Sequence, residues 1–380
     1  MEKIAYKEAI KYLKNSPVFA MSLSSKELFH SNFWAWLMEQ DSKFITCFFD
    51  DFEGKDGISI SREKEHMDIQ IEVGKCKYVI ENKFKSIPTE SQLCKYSETD
   101  GFQKGVLTGI SENAPFDLPS KWKYLSYGCI CDKLEQLPKG TKSENLSNNK
   151  MIVTQYIEMT RNLVRLVGDF LNEYGNKWLF PDKIPEEIRN DLRIGDVIQK
   201  MQAERFLHYF CDHSTYRKNL NPESFVENGY TLIARTNMSH ATSLLEVLYM
   251  KSEDNNGIPK DSKIKEGIGI QIQDGQFRWF VVANKNDSPR EVFESYKSIW
   301  FDEDFKAGSG SISVPVGKKE PKPTKMGKKG NAYCKFISES SQFIHQYFTP
   351  SEDELQFKEL VKLIDMFLDA ASEVIRAPGR

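Results

Sequence analysis

No run of apolar residues in the 380-residue chain approaches the roughly 20 that a membrane-spanning helix needs, and the start Met1-Glu2-Lys3-Ile4-Ala5-Tyr6-Lys7 lacks the apolar core of a secretory signal. A cytoplasmic protein with no membrane partner is expected. A large excess of one charge is missing too: 52 Lys and Arg stand against 55 Asp and Glu, a formal net charge of −3. That excludes a uniformly basic binder, so any contact with nucleic acid must come from local positive patches. Cysteines are few and odd in number, seven scattered through the chain, which suits reduced thiols better than a disulfide frame. Cys129 and Cys131 form a CxC in a stretch that reads as a strand, with no second Cys/His pair at zinc spacing nearby, so no zinc site is expected. No internal repeat is visible. Hydrophobic content of 39% and aromatic content of 12% are those of a globular chain, and the length predicts two domains.

What is present is clearest between residues 67 and 84. Met67-Asp68-Ile69-Gln70-Ile71-Glu72-Val73 alternates apolar and polar residues with period two, as a half-buried strand does, and Cys76-Lys77-Tyr78-Val79-Ile80-Glu81-Asn82-Lys83-Phe84 is its natural partner. Gly74-Lys75 between them suits a two-residue type II′ turn, since Gly takes the positive φ at the first central position without strain. The register then follows by counting outward. Glu72 faces Lys77, Gln70 faces Val79, Asp68 faces Glu81, and His66 lies across from Lys83. Directly opposed side chains have Cβ atoms roughly 5 Å apart, where like charges destabilise, so the Asp68/Glu81 pair calls for a cation. Mg²⁺ is commonly held by one or two carboxylates plus water and phosphate. Lys83 points the same way as Glu81, where an ammonium can hold a water and balance charge at phosphorus. The plainer alternative is the wet face of an ordinary hairpin.

Two flanking helices add to this pattern. Gln92 and Tyr96 share a face of a helix expected from Glu90 to Glu98. Upstream, Lys26-Glu27-Leu28-Phe29-His30-Ser31-Asn32-Phe33-Trp34-Ala35-Trp36-Leu37 reads as an amphipathic helix with Glu27 and His30 on one flank. The order helix with His, strand with Asp, strand with ExK, helix with QxxxY resembles the PD-(D/E)XK nuclease superfamily, in its RecB-like and lambda-exonuclease-like branch. The resemblance covers about residues 20 to 135. Met67 stands where the superfamily's Pro would precede Asp68, a position that varies within it.

The resemblance implies an α/β fold, a restriction-endonuclease-like core with a mixed central sheet flanked by helices. It implies Asp68, Glu81, the Asn82 carbonyl and His30 as ligands of Mg²⁺, with Mn²⁺ as a substitute. Lys83 would serve the attacking water, Gln92 and Tyr96 would support the site, and Glu27 would be an outer or alternative partner. The implied activity is a Mg²⁺-dependent deoxyribonuclease, DNA being favoured over RNA, in defence, restriction or repair. The competing expectation is a weak or inactive nuclease-fold protein that binds nucleic acid or protein.

Further along, Ile58–Ser61, Gly105–Ile110 and Trp122–Ile130 read as strands, the last leading into a short helix at Cys131, and Met151–Tyr174 reads as a long helix. The nuclease-like domain is placed at residues 1–177. Residues 178–380 are expected to form a C-terminal α+β domain of unassigned role, with helix at 186–211, strands at 230–235, 267–273 and 277–283, a turn at Asp274-Gly275, and helices at 289–298 and 351–375. That domain is a candidate surface for a homo-oligomer or partner protein. Lys318, Lys319, Lys322, Lys325, Lys328 and Lys329, broken by Pro321, Pro323 and Gly327, read as a solvated loop or as a phosphate-contacting arm.

Overall fold

Gly74 takes φ +58° and Lys75 is not among the residues with positive φ, the signature that separates a II′ turn from a I′ turn. The hairpin it closes is the start of a mixed sheet. A computed structural model describes residues 5–22, 26–54, 57–136, 144–220, 229–239, 242–251, 266–273, 275–296, 300–301, 334–337, 341–348 and 354–376. The chain divides into two compact units, Met1–Glu173 with Pro185–Met201, and Tyr174–Ile184 with Gln202–Arg380.

The first unit opens with helices α1 (Ala5–Asn15), α2 (Pro17–Ser22) and α3 (Lys26–Gln40), followed by a 3-10 turn whose start is capped by the Asp41 carboxylate. Then come β1 (Ile58–Lys64), β2 (Met67–Val73), β3 (Cys76–Lys83), α4 (Glu90–Ser97), β4 (Phe102–Gly109) and β5 (Trp122–Ser126). The five strands lie in the order β1-β2-β3-β4-β5. The first three are antiparallel; β3, β4 and β5 are parallel. A parallel neighbour requires a crossover, and α4 lies in the one from β3 to β4. The hairpin register is Val73↔Cys76, Glu72↔Lys77, Gln70↔Val79 and Ile69↔Ile80, the pairing read from the turn.

The expected strand Trp122–Ile130 stops at Ser126. Ser126 Oγ accepts the Cys129 amide at 3.2 Å and so caps a helix, α5 (Tyr127–Gln136), that begins four residues before the sequence reading placed it. Cys129 and Cys131 are therefore about 200° apart around a helix axis, one half-buried and the other buried. The long helix α6 (Glu144–Tyr174) stacks Tyr156 on Phe33 of α3, with ring centroids 3.8 Å apart.

The second unit holds β6 (Lys177–Leu179), the later turns of α7 (Gly195–His213), and β7 (Tyr230–Ser239), β8 (Thr242–Lys251), β9 (Gly267–Gln273), β10 (Gln276–Asn284), α8 (Pro289–Tyr296), β11 (Cys334–Ile337), β12 (Ser341–Phe348), β13 (Glu354–Gln356) and α9 (Phe357–Arg376). An antiparallel sheet of order β11-β12-β10-β9-β8-β7 buries Ile268, Ile270, Trp279 and Val281 against Leu360, Ile364, Phe367 and Leu368 of α9. Strand β8 was not anticipated: residues 243–250 are all buried, so the alternation that announces a half-buried strand is absent. The last helix starts at Phe357 instead of Ser351, because Glu354–Gln356 pairs with β6.

Candidate active site

Alternation along β3 sends Glu81 and Lys83 to one face and Asn82 to the other. Glu81 is 1% exposed. Its Oε1 accepts Lys83 Nζ at 2.7 Å and Gln92 Nε2 at 2.8 Å, whereas its Oε2 is buried with no hydrogen-bond partner. Asp68 is one step beyond the last ladder pair, Ile69↔Ile80, and its Oδ2 takes the Asn82 amide at 2.7 Å. The two acids and the lysine thus meet where β2 and β3 end their regular pairing.

Burial pushes both carboxyls up, Glu81 to about 7; the Lys83 ammonium draws each back down, and the Asp68 charge adds to the rise at Glu81. Burial works against the Lys83 ammonium, but Glu81, Asp68 and Glu27 outweigh it and leave its pKa above the ordinary lysine value. With both acids ionised the single ammonium leaves a net negative charge, and the bare Oε2 is the oxygen at which a proton or a cation can answer it.

Helix α4 holds this arrangement from above. Thr89 caps it by accepting the Gln92 amide. Gln92 Nε2 donates both to Glu81 Oε1 and to the Tyr96 hydroxyl, each at 2.8 Å, and Tyr96 in turn donates to the His66 carbonyl at 2.6 Å. His66 and Glu65 both adopt positive φ, +67° and +55°, in the β1–β2 turn, so Tyr96 pins a strained corner next to Asp68.

On the opposite face the Asn82 side chain is a junction. Its Nδ2 donates to the Glu27 carbonyl and Ser31 Oγ on α3; its Oδ1 accepts Thr108 Oγ1 at 3.1 Å and the Tyr127 hydroxyl at 2.5 Å. His30 lies on this side, stacked on Phe84 at 5.2 Å, edge-on to Tyr127, with Nδ1 2.8 Å from the Tyr156 hydroxyl. Glu27 Oε1 accepts the amides of Lys85 and Ser86 and the Ser86 hydroxyl at 2.6–2.8 Å.

Asp68, Glu81, Lys83, Gln92 and Tyr96 are brought together, with Glu27 next to the chain that leaves Lys83; His30 sits among the rings around Asn82. The six lysines between Lys318 and Lys329 lie outside the described residues. Sequence reasoning missed Lys200, whose buried ammonium donates to the carbonyls of Lys83 and Ser86. A signal existed: it is three residues past Val197 on the apolar stripe of α7.

Among the described residues no group of three or more His, Cys, Asp or Glu side chains is disposed to hold a metal ion. Two carboxylates suffice for Mg²⁺, which keeps several waters, and a buried carboxylate oxygen without a partner fits that demand. Among the described residues no helix is long and apolar enough to cross a membrane. No protein family, curated protein or solved structure matches the chain.

Proposed function

We propose that this protein is a metal-dependent nuclease of the PD-(D/E)XK type, with a restriction-endonuclease-like core, that hydrolyses phosphodiester bonds in DNA. The observation that carries the reading is the Glu81 carboxylate, buried beside Asp68 with Oε2 bare and Oε1 bonded to Lys83. Leaving such a group unsatisfied costs about 1–3 kcal/mol or more, and a cation removes that cost. Asp68, Glu81 and the Asn82 carbonyl would hold Mg²⁺, or Mn²⁺ in its place, which when bound polarises the scissile phosphate and offsets its charge. Lys83, released in part from Glu81, donates to the attacking water and aims it at phosphorus. Gln92 keeps Glu81 in place through Oε1, and Tyr96 fixes the corner that carries Asp68.

Incubating the purified protein with linear, circular and single-stranded DNA, with Mg²⁺, Mn²⁺ or EDTA, tests this. Cleavage that needs the cation and vanishes in folded Glu81→Ala and Lys83→Ala variants is expected; full activity in either variant refutes the assignment. A second reading, a nuclease-like core that binds nucleic acid or protein without cutting, is favoured by the closed Lys83–Glu81 ion pair. Calorimetric titration separates the two, because a pure binding module has no need of cation affinity that disappears with Glu81.

A further inference from the structure

Lys200 is 3% exposed, belongs to the same compact unit as β3, and donates through Nζ to the Lys83 carbonyl at 3.2 Å and to the Ser86 carbonyl at 2.7 Å. The chain from Phe84 to Ser86 belongs to no helix or strand, so its backbone polar groups need partners from elsewhere. They find two of opposite sign. The Glu27 carboxylate gathers the amides of Lys85 and Ser86, and the Lys200 ammonium gathers carbonyls at both ends of the same segment.

Burying an ammonium is costly unless it is well bonded, and two ordinary carbonyls at a surface bend would have been served by water. The charge has been placed where Lys83 leaves the strand. Past Lys83 the parallel ladder with β4 has ended, its last pair being Lys83↔Gly109, so the sheet fixes the face on which Lys83 lies but holds its backbone on the N-terminal side only.

We propose that Lys200 is a positioning residue for Lys83: by gripping the carbonyls that flank residues 83–86 it sets the backbone from which the Lys83 ammonium reaches Glu81. Its action on the site is through the backbone that carries Lys83. The proposal rests on the nuclease reading for its effect on rate, but not for its effect on Lys83 itself.

The test therefore has two arms, run on the full chain with wild-type, Lys200→Met and Lys200→Arg proteins. In the first, acetylation of Lys83 by a dilute amine-reactive ester is followed by peptide mass spectrometry without DNA or metal. Lys83, held against Glu81 with its side chain 13% exposed, is expected to react at least tenfold faster in Lys200→Met and near the wild-type rate in Lys200→Arg. In the second, steady-state DNA cleavage in Mg²⁺ should show kcat reduced about 10- to 100-fold in Lys200→Met with KM for DNA within twofold, and partly restored in Lys200→Arg.

Wild-type Lys83 labelling in a folded Lys200→Met variant overturns the proposal, as does a kcat equal to wild type. If Lys200→Met does not fold, Lys200→Gln decides: its shorter, neutral amide cannot hold both carbonyls, so Lys83 labelling at least doubles if the proposal holds and is unchanged if it does not. A wild-type protein that cuts no DNA sinks the nuclease reading alone, and the labelling arm still rules on Lys200.

Discussion

Each compact unit buries a glutamate in the middle of a sheet, and the two are treated differently. Glu246 on β8 is 6% exposed and both its oxygens are used: Oε1 accepts Gln271 Nε2 and Oε2 accepts Arg235 Nε, each at 3.0 Å. Its partners stand in direct register, Arg235↔Glu246↔Gln271↔Arg278, and Gln271 Oε1 passes the pattern on to Arg278 Nη1 at 2.9 Å. That row is closed. Glu81 has two donors on one oxygen and none on the other. The fold completes the hydrogen bonds of Glu246 and leaves those of Glu81 half-complete, and a buried carboxylate oxygen left so calls for an explanation of its own, which the proposed cation would supply.

Alanine at the two positions breaks or sharpens this contrast most strongly. Glu81→Ala removes a desolvated charge from a site built around it, so cleavage should fall by at least about three orders of magnitude, in line with the loss of a principal electrostatic group. The urea midpoint should fall less than in Glu246→Ala, because Asp68 remains beside the Lys83 ammonium that loses Glu81. Glu246→Ala strands Arg235 and Gln271, and breaking a buried pair from one side costs about 3 kcal/mol. Its midpoint should therefore drop sharply while cleavage per folded molecule persists. If the stability losses were reversed between the two variants, the distinction between reserved and closed carboxylates would be gone.

A smaller effect follows from protonation. The Glu81 carboxyl, ordinarily near 4.5, is pushed to about 7 by burial, with Asp68 raised in the same direction. A folded-state pKa above the unfolded one means that the folded protein holds the proton more tightly. Its stabilising contribution is complete below pH 4.5 and is lost as pH rises through 7. In EDTA the urea midpoint should thus decline between pH 5 and 7.5 by more than in Glu81→Gln, where the carboxyl is absent. Mn²⁺ selects the ionised acids, so it should bind more tightly as pH rises over the same interval and cancel the decline. A wild-type profile that matches Glu81→Gln in EDTA would show that Glu81 does not titrate in that range.

The hairpin was legible because its determinants are local. One glycine fixes the turn, alternation fixes the faces, and together they place Glu81 and Lys83 on one side; the regular pairing stops at Ile69↔Ile80, one step short of the Asp68–Glu81 pair reached by counting, and His66 lies in the β1–β2 turn instead of across from Lys83. Gln92 and Tyr96 were legible for the same reason, an i, i+4 spacing on a capped helix. What escaped was non-local or decided by a single contact. The start of α5 depends on one Ser126 hydroxyl within a run of aromatic residues that suits a strand equally well. Strand β8 hid because both its faces are covered, and Lys200 meets Lys83 and Ser86 across more than a hundred residues of chain. The side chain of Asn82 shows the same limit: its place between Glu and Lys draws attention to its backbone, whereas its amide joins α3, β4 and α5.

The smallest test compares two tyrosine hydroxyls. Tyr127 donates to Asn82 Oδ1 at 2.5 Å, and Tyr216 in the second unit donates to Asp369 Oδ1 at 2.6 Å. Phenylalanine at either position keeps the ring and deletes one hydrogen bond, a loss of about 1 kcal/mol where the bond is buried and less where water can replace it. Asn82 still receives Thr108 Oγ1, and the His30, Trp34 and Phe84 rings still surround residue 127, so Tyr127→Phe should fold. Asn82, however, is the residue between Glu81 and Lys83, so loosening it moves both, and a misplacement equivalent to 1 kcal/mol lowers kcat about fivefold. Tyr216→Phe has no such route to the site and should leave kcat at the wild-type value. Equal kcat in the two variants would mean that Asn82 anchors the fold without aiming the groups on either side of it.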